Sequence, residues 1–466
     1  RISWIQAEVG GRMILRGLVV LAAAALGEAW LSAPAHSSHA GTGWGLLSSH
    51  TPPASCPGGW RRPERSFRAP LRLGMVLADD KGAVDEVAWR TVKHKGRQEA
   101  AAVGEEGLSV FEDVAELGRL LGGTGKAKMV WESLRDGVSP WENREVVTDK
   151  ARALLERSFQ GIPGVSLESV AGDGTTKLLV DLDDGLQVES VVIPNKGKPS
   201  AQGVVEPRTT LCVSSQVGCN RACDFCATGK MGFIRQLTSH EILSQVFHGL
   251  RVVRERGLPP LHNIVFMGMG EPLNNPLHVM RATDILTRDK CFGFARSRVT
   301  VSTVGPSPAA IRAAGDLPAM LAWSVHAADD ELRRRLVPTT AHTMEELRDT
   351  FKSVLSKRSR QMSTFMVAVT LIDGLNDGEE QADALVELLR PIQEVVKGLV
   401  VDLIPYNDIG EAAYERAGKD NVGAFQRRLR DAGFACFVRV TRGDDGNAAC
   451  GQLATGVTAT PSPGVS

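Results

Sequence analysis

Three cysteines lie within one short stretch of the chain, Cys219, Cys223 and Cys226, at spacings of four and three residues. Cysteine thiolates hold iron–sulfur clusters, and a four-iron cluster takes four ligands. Three protein ligands therefore leave one iron open to bind a small molecule and pass it an electron. The alternatives are a zinc site lacking a ligand or three unrelated cysteines. Structural zinc sites close with four Cys or His ligands, and no second pair of ligands lies nearby. We therefore expect one 4Fe–4S cluster.

A glycine-rich segment, Gly268–Pro272, directly follows the apolar run Asn263–Met267. Glycines at a strand end let a ligand approach the backbone, and the carboxylate of Glu271 can bind an ammonium group. S-adenosylmethionine (SAM) suits such a site, because its amino and carboxylate groups can chelate an open iron. Taken alone, the segment could be an ordinary turn. Its position after the cysteine loop favours a SAM site.

Three later strand ends carry polar side chains, at Ser302, in the segment Ser324–His326, and at Asn407. Each could be only a cap or turn residue. In parallel α/β folds the chemistry lies at the carboxyl ends of the strands, so residues at successive strand ends share one pocket. These positions therefore predict a pocket beside the cysteine loop.

Two further cysteines have positions that suggest a role. Cys450 lies in the segment Thr441–Leu453, after the last predicted strand, and can reach the same pocket. Its alternative is a buried lone thiol, although the neighbouring Gly, Asp and Asn residues indicate an exposed loop. Cys212 lies on the first strand, seven residues before the cluster loop, and by itself would be a core residue. No motif surrounds Cys291 or Cys436, which we interpret as structural.

From Thr209 onwards, strands and helices alternate. One helix, Ser239–Glu255, begins with the capping box of Thr238 and Glu241. Repeated βα units with apolar strands predict a parallel sheet, and six or seven such units, fewer than eight, predict a partial (open) parallel β/α barrel. The predicted strands are Thr210–Val213, Asn263–Met267, Val299–Ser302, Met320–His326, Thr364–Leu371, Leu399–Ile404 and Cys436–Val440.

The rest of the chain divides by composition and periodicity. Residues 1–74 predict a targeting presequence without fixed structure, and residues 75–165 a small helical domain. Residues 166–205 predict a short antiparallel β segment with a loop, 206–455 the barrel with its C-terminal loop, and 456–466 a disordered tail. The fold class is α/β.

The chain has 466 residues, of which 43% are hydrophobic and 23% charged, and its formal net charge is zero. Its length allows more than one domain, and its eight cysteines are too few for a disulfide scaffold. The bulk charge therefore gives no indication of a nucleic-acid partner, which would have to bind local basic patches.

The first seventy residues resemble a two-part plastid presequence. Arg16 and the apolar run Gly17–Leu26 follow Met13, and a membrane span would need ~20 apolar residues. The segment His36–Arg72 is rich in Ser and Arg, with Glu64 as its only acid. We expect import into the chloroplast stroma, cytoplasmic location if this extension is not part of the protein, and no membrane segment in the mature form.

Several motifs, in order, resemble those of the RlmN/Cfr group of radical SAM RNA methyltransferases, and the similarity extends from about Leu117 to Leu453. The matching segments are Leu211–Cys219, the CxxxCxxC loop, Gly229–Phe233, Met267–Pro272, Ser324–His326, Arg442–Asp445 and Ala448–Leu453. The resemblance implies methylation of adenine C2 in 23S-type rRNA and allows tRNA as a second substrate. The longer N-terminal domain favours RlmN over Cfr, which methylates C8.

The resemblance also implies roles for the lone thiols. One SAM methylates Cys450, and a second SAM, cleaved reductively, yields the radical that activates this methyl group for addition to C2. Cys212 then removes the C2 proton and releases the product by forming a disulfide with Cys450. Glu189 matches a family carboxylate with a proton-accepting role. The implied SAM contacts are Gly270, Glu271, Ser302, Ser324, Val325, His326 and Asn407.

Two departures from the family pattern are the longer loop Asn195–Pro207 and the pair Gly446-Asn447. The expected partners are RNA, bound through basic runs such as Arg333–Arg335 and Arg427–Arg428, and an electron donor such as ferredoxin or flavodoxin. These runs could instead be solvated helix faces. We expect a monomer. The competing hypotheses are a different radical SAM reaction, or a non-catalytic RNA-binding or iron–sulfur assembly factor.

Overall fold

The computed structural model describes residues 107–200, 203–410, 413–443 and 446–456. The predicted presequence, the first part of the predicted helical domain and almost all of the predicted tail lie outside these ranges. Within them, no helix is both long enough and apolar enough to cross a membrane.

From residue 107 onwards, three helices precede the sheet: α1 Val114–Leu121, α2 Thr124–Arg135 and α3 Asp149–Ser158. The carboxylate of Asp113 caps α1 by accepting hydrogen bonds from two backbone N–H groups of its first turn, at 2.9 and 3.0 Å. Trp131 is fully buried and its indole N–H donates to the Glu112 carbonyl at 2.9 Å. Because a buried indole N–H needs an acceptor, this bond fixes how α2 packs.

The strands in the described ranges form one ten-stranded sheet and two small sheets. The main sheet has the order β1-β2-β3-β6-β9-β10-β11-β12-β13-β14, and every pair from β6 onwards is parallel. The strands are β1 Val165–Val170, β2 Thr176–Asp181, β3 Gln187–Asn195, β4 Lys198–Ser200, β5 Gly203–Val205, β6 Arg208–Val213, β7 Gln216–Gly218, β8 Phe233–Gln236, β9 Leu261–Phe266, β10 Val299–Thr303, β11 Met320–Ser324, β12 Thr364–Leu371, β13 Gly398–Pro405 and β14 Ala435–Val438. The predicted α/β fold with a partial parallel barrel is confirmed.

The antiparallel strands β1–β3 continue the main sheet and do not form a separate unit. β3 pairs antiparallel with β6, from Asn195 opposite Arg208 to Val191 opposite Cys212. The segment predicted as a plain loop, residues 194–208, contains the two-stranded β4–β5 hairpin. In the described ranges, the seven parallel strands and the three antiparallel strands therefore form one continuous sheet.

Helices cover the parallel strands: α4 Ala227–Met231, α5 Ser239–Glu255, α6 Pro276–Thr287, α7 Pro308–Ala314, α8 Asp330–Leu336, α9 Met344–Lys357, α10 Glu379–Gln393 and α11 Lys419–Asp431. The helix α5 has the predicted bounds, and its capping box is formed, because Thr238 and Glu241 each bind the other's backbone N–H. Strand β11 ends at Ser324, two residues earlier than predicted. His326 has φ 57°, a left-handed conformation that cannot continue a strand.

Gly218, directly before the cluster loop, has φ +73°, and a Cβ atom there would lie 1.8 Å from the Gly232 carbonyl oxygen. We expect Gly218→Ala to lower the free energy of unfolding by more than the about 1–3 kcal/mol that such a backbone conformation costs alone. Urea unfolding of the apoprotein measures this. Gly257→Ala is the matched control, because Gly257 also has a positive φ, +59°, but no atom near its Cβ position. Equal losses in both variants would contradict the steric argument.

Candidate active site

A pocket opens at the carboxyl ends of the parallel strands. Of the predicted site residues, Cys219, Cys223, Cys226, Gly270, Glu271, Ser302, Ser324, His326, Asn407 and Cys450 line it. Val325 does not; it is fully buried and borders a neighbouring cavity. Cys212 and Glu189 are not part of this lining; Glu189 binds the C-terminal loop, and Cys212 lies within range of the charge on Cys450.

The cluster loop runs from the end of β7 to α4. Its three thiols line the same pocket, and the N–H of Arg221 donates to the Cys219 sulfur at 3.5 Å. Burial raises the pKa of Cys219 to about 12 and that of Cys223 well above the usual thiol value. A coordinating metal deprotonates such thiols outright, and hydrogen bonds to sulfur tune a cluster. In the described part of the chain, no three His, Cys, Asp or Glu side chains are arranged to hold a single metal ion. Three pocket-lining thiols, one with a backbone donor, fit an iron–sulfur cluster.

The glycine-rich segment follows β9 and packs tightly against the chain between β6 and β7. Gly270 has φ +99°, and a Cβ atom there would lie 2.5 Å from the side chain of Gln216. The Glu271 carboxylate is buried and accepts the N–H groups of Leu273 and Val304, each at 2.9 Å. Burial raises the pKa of Glu271. The carboxylate is therefore held rigidly by backbone donors at the pocket.

The polar residues at the carboxyl ends of β10 and β11 lie close together. The hydroxyl oxygens of Ser302 and Ser324 lie 3.2 Å apart. The Nδ1 atom of His326 accepts the Thr370 N–H at 3.2 Å, and its ring packs on Phe225, with centroids 4.6 Å apart. Burial lowers the pKa of His326 well below its usual value, so the imidazole is neutral at pH 7.

Asn407 contacts the loop that carries Cys450. Its amide NH₂ donates to the Cys450 carbonyl at 3.0 Å, and its amide oxygen accepts from Arg416 and Thr441, at 2.8 and 3.0 Å. These bonds give Asn407 a positioning role in addition to its place in the pocket lining.

Cys212 on β6 lies close enough to Cys450 for the two thiolates to repel each other. Burial raises the pKa of Cys212 to about 12, and the neighbouring Cys450 raises it further. Cys450 is exposed, as expected for its loop, but desolvation of its thiol raises its pKa. All the described cysteines, Cys212, Cys219, Cys223, Cys226, Cys291, Cys436 and Cys450, are free thiols.

The charge of one cation absent from our predictions acts on both of these thiols. Arg439 follows β14, and its Nε donates to Asp402 on β13 at 2.8 Å. Its positive charge lowers the pKa of both Cys212 and Cys450, opposing the effect of desolvation. The only feature of the sequence that indicates the Arg439–Asp402 pair is Asp402, an acidic residue inside the apolar strand β13.

Removing the positive charge of Arg439 should leave less of Cys450 in its thiolate form at neutral pH. The thiolate is the reactive form, so a higher pKa moves the rate–pH curve of alkylation to higher pH. We expect Arg439→Met to move the midpoint for Cys450 up by roughly one pH unit. Peptide mass spectrometry after brief iodoacetamide treatment of the apoprotein measures this. Arg439→Lys keeps the charge and serves as control; coincident curves for Met and wild type would refute the effect.

Glu189 on β3 is also joined to the C-terminal loop. Its carboxylate accepts the Ala454 N–H at 2.9 Å and pairs with Lys177 at 2.9 Å. Lys177 in turn donates to the Asn447 carbonyl at 3.2 Å. Burial raises the pKa of Glu189, and Lys177 opposes this. The strands β2 and β3 therefore hold the Cys450 loop on both sides of the cysteine.

Only some of the arginines in the two basic runs predicted as RNA contacts have exposed side chains. Arg333 is 1% exposed, so its predicted contact with RNA is wrong, because α8 turns this side chain inwards. Arg428 is exposed but forms a bidentate pair with Asp383, at 2.5 and 2.7 Å. The side chains of Arg334, Arg335 and Arg427 are exposed.

An open parallel β/α barrel with three cysteines and a glycine-rich strand end around one pocket defines a radical SAM enzyme. Residues 213–386 match the family model of the Radical SAM superfamily. A dual-specificity RNA methyltransferase RlmN from Alcanivorax borkumensis is 40% identical over 318 residues, which are 66% of this chain and 79% of that protein. The chain belongs to the RlmN family of radical SAM methyltransferases.

A crystal structure of a radical SAM methyltransferase from Sphaerobacter thermophilus has a similar fold. The TM-score is 0.65 at 33% sequence identity, over 74% of this chain and 98% of that one. Membership of the family means that the enzyme uses a 4Fe–4S cluster and SAM, as the cysteine loop and the glycine-rich segment predicted. Cys219, Cys223 and Cys226 are the residues that would hold the cluster.

Proposed function

We propose that this enzyme methylates C2 of an adenine in 23S-type rRNA, and tRNA as a second substrate. One observation carries the proposal: Cys450 lines the same pocket as the three cluster cysteines and lies within range for its charge to act on Cys212. A different radical SAM reaction predicts no role for Cys450. The relative from Alcanivorax borkumensis, named as a dual-specificity RNA methyltransferase, supports the choice of RNA.

The target position explains why such a site is needed. The C2–H group of adenine is not acidic and its C2 atom is not nucleophilic, so C2 cannot attack the methyl group of SAM directly. When bound, the cluster supplies the electron that cleaves SAM. The protein must therefore hold a methyl group on a residue of its own and bring it to C2.

Cys450 is the residue that we assign to this task. Its thiolate, favoured by Arg439, accepts a methyl group from one SAM. A hydrogen atom of this methyl group passes to the 5′-deoxyadenosyl radical derived from the second SAM, which becomes 5′-deoxyadenosine. The remaining CH₂ radical adds to C2, so that Cys450 and the adenine are joined through one CH₂ group. Asn407, Glu189 and Lys177 hold the loop in place through the bonds described above.

Cys212 is the residue that releases the product. Loss of the C2 proton and of one electron, which the oxidised cluster would take back, restores the aromatic ring. Attack of the Cys212 thiolate on the Cys450 sulfur then breaks the S–CH₂ bond, and the released carbon takes up a proton to become the methyl group. This attack leaves a Cys212–Cys450 disulfide, which a reductant must open before the next cycle. Glu189 is the second candidate for the proton, since its buried carboxylate has a raised pKa.

Further proposals rest on the sequence alone. We propose a plastid location, from the composition of residues 1–74, reduction of the cluster by ferredoxin or flavodoxin, and a monomer. A fusion of residues 13–72 that leaves a reporter in the cytosol would exclude the plastid location.

The activity is tested with purified, anaerobically reduced enzyme, SAM and an rRNA fragment. We expect 5′-deoxyadenosine and 2-methyladenosine by mass spectrometry of the digested RNA. A fragment with guanine in place of the target adenine is the control. Formation of 8-methyladenosine alone would identify the Cfr reaction, deoxyadenosine without RNA methylation would indicate another radical SAM reaction, and no deoxyadenosine would indicate a non-catalytic protein.

A further inference from the structure

Arg333 on α8 is a fully buried cation that forms no ion pair with a carboxylate among the residues that the structure describes. Arginine is rarely buried unless it is paired, because an isolated charge is costly in the protein interior. Its guanidinium donates to the carbonyls of Ser324 and Val325, at 3.0 and 2.5 Å, and of Val304, at 2.7 Å. Its Nε atom has no partner within the described ranges. Backbone dipoles satisfy most of its donors but supply no full negative charge.

The end of α8 lies against the cluster loop. The N–H of Asp224 donates to the Leu336 carbonyl at 3.0 Å, and Cys223 packs in the same apolar cluster as Leu336 and Val337. Two of the carbonyls that Arg333 binds, those of Val304 and Ser324, belong to residues that line the same pocket as Cys223. The buried charge of Arg333 therefore lies next to the pocket of the cluster cysteines.

The other charges that act on Arg333 come from the same pocket. Glu271 attracts it and Arg221 repels it. Burial lowers the pKa of Arg333 to about 10, which still leaves the guanidinium charged at neutral pH. The charge therefore persists at every pH at which the enzyme would be assayed.

We propose that Arg333 is a positioning residue whose buried charge beside Cys223 makes the cluster easier to reduce. Reduction adds one negative charge to a cluster that already carries thiolates, and net charge and hydrogen bonding set cluster potentials. A fixed cation in a poorly polarisable interior stabilises the added electron far more than an exposed cation would. The same guanidinium joins the chain after β10 to the end of β11, where Ser302 and Ser324 meet.

A purely structural role is the alternative, in which Arg333 only braces these carbonyls. Arg333→Lys and Arg333→Gln separate the two roles. Lysine keeps the charge but loses the planar set of donors, whereas glutamine keeps a hydrogen-bonding group and loses the charge. Arg334→Gln is the matched control, because it removes an exposed charge from the next position on the same helix.

The measurement is an anaerobic redox titration of the reconstituted cluster, without SAM, followed by electron paramagnetic resonance. We expect Arg333→Gln to lower the equilibrium constant for reduction about tenfold, a shift of ~59 mV to more negative potential. We expect Arg333→Lys and Arg334→Gln to stay within about twofold of wild type, since each retains the buried charge. Thermal unfolding of the apoproteins reports the bracing effect separately, and both Arg333 variants should lose stability.

An unchanged potential in Arg333→Gln would overturn the proposal. So would an equal shift in both Arg333 variants, which would show that the hydrogen bonds matter and the charge does not. If Arg333→Gln takes up no cluster, Arg333→Met removes the same charge in its place: a more negative potential supports the proposal, and an unchanged potential overturns it. These outcomes are independent of which RNA atom is methylated.

Discussion

Replacing Cys450 by alanine should reduce RNA methylation by a factor on the order of 10³ or more, the scale of loss when a covalent mechanism loses its nucleophile. Alanine leaves the methyl group without an acceptor. The bond from Asn407 to the Cys450 carbonyl involves only backbone at position 450, so the loop should keep its place. The iron and sulfide content of the variant should equal that of wild type.

The control for this experiment is Cys436→Ala. Cys436 on β14 is 1% exposed and does not line the pocket, so its loss should lower stability somewhat and leave methylation intact. Mass spectrometry of digested RNA gives the product, and chemical analysis gives the iron. Undiminished methylation by Cys450→Ala would disprove the proposed mechanism.

Replacing Cys212 by alanine should convert the enzyme from a catalyst into a trap for its substrate. Without the Cys212 sulfur, the bond between Cys450 and the CH₂ group on the adenine cannot be broken by disulfide formation. We therefore expect at most one RNA bound covalently per enzyme and little free methylated product. A denaturing gel should show the complex, and a peptide containing Cys450 should carry the nucleotide.

Two controls define this adduct. It should survive dithiothreitol, because a thioether is not reduced as a disulfide would be, and the double variant Cys212→Ala/Cys450→Ala should form none. Full turnover by Cys212→Ala would show that another group resolves the adduct. In that case Glu189 could serve only as the proton acceptor, since a carboxylate cannot form the disulfide.

Sequence reasoning reached the fold and most of the pocket because their signals are local. A capping box, a glycine after an apolar run, or cysteines at fixed spacing each act within a few residues. Parallel strands align their carboxyl ends, so residues such as Glu271, Ser324 and Cys450 could be placed at one pocket from their positions after strands. The bounds of α5 and β12 were predicted to the residue for the same reason.

Only the tertiary structure decided which charges meet in that pocket. The charged groups that meet there come from different strands, helices and loops, and no local sequence pattern specifies their pairing. The pairs are Arg439 with Asp402, Lys177 with Glu189, and Arg333 with Cys223. An arginine in a basic run is by default solvated, and whether it turns inwards depends on how its helix packs. Burial then sets the strength of each charge, because the same pair that is weak in water is strong in the interior. The sequence by itself therefore determined which residue types lie at the site. The tertiary structure decided which charges are neighbours and how strongly they interact.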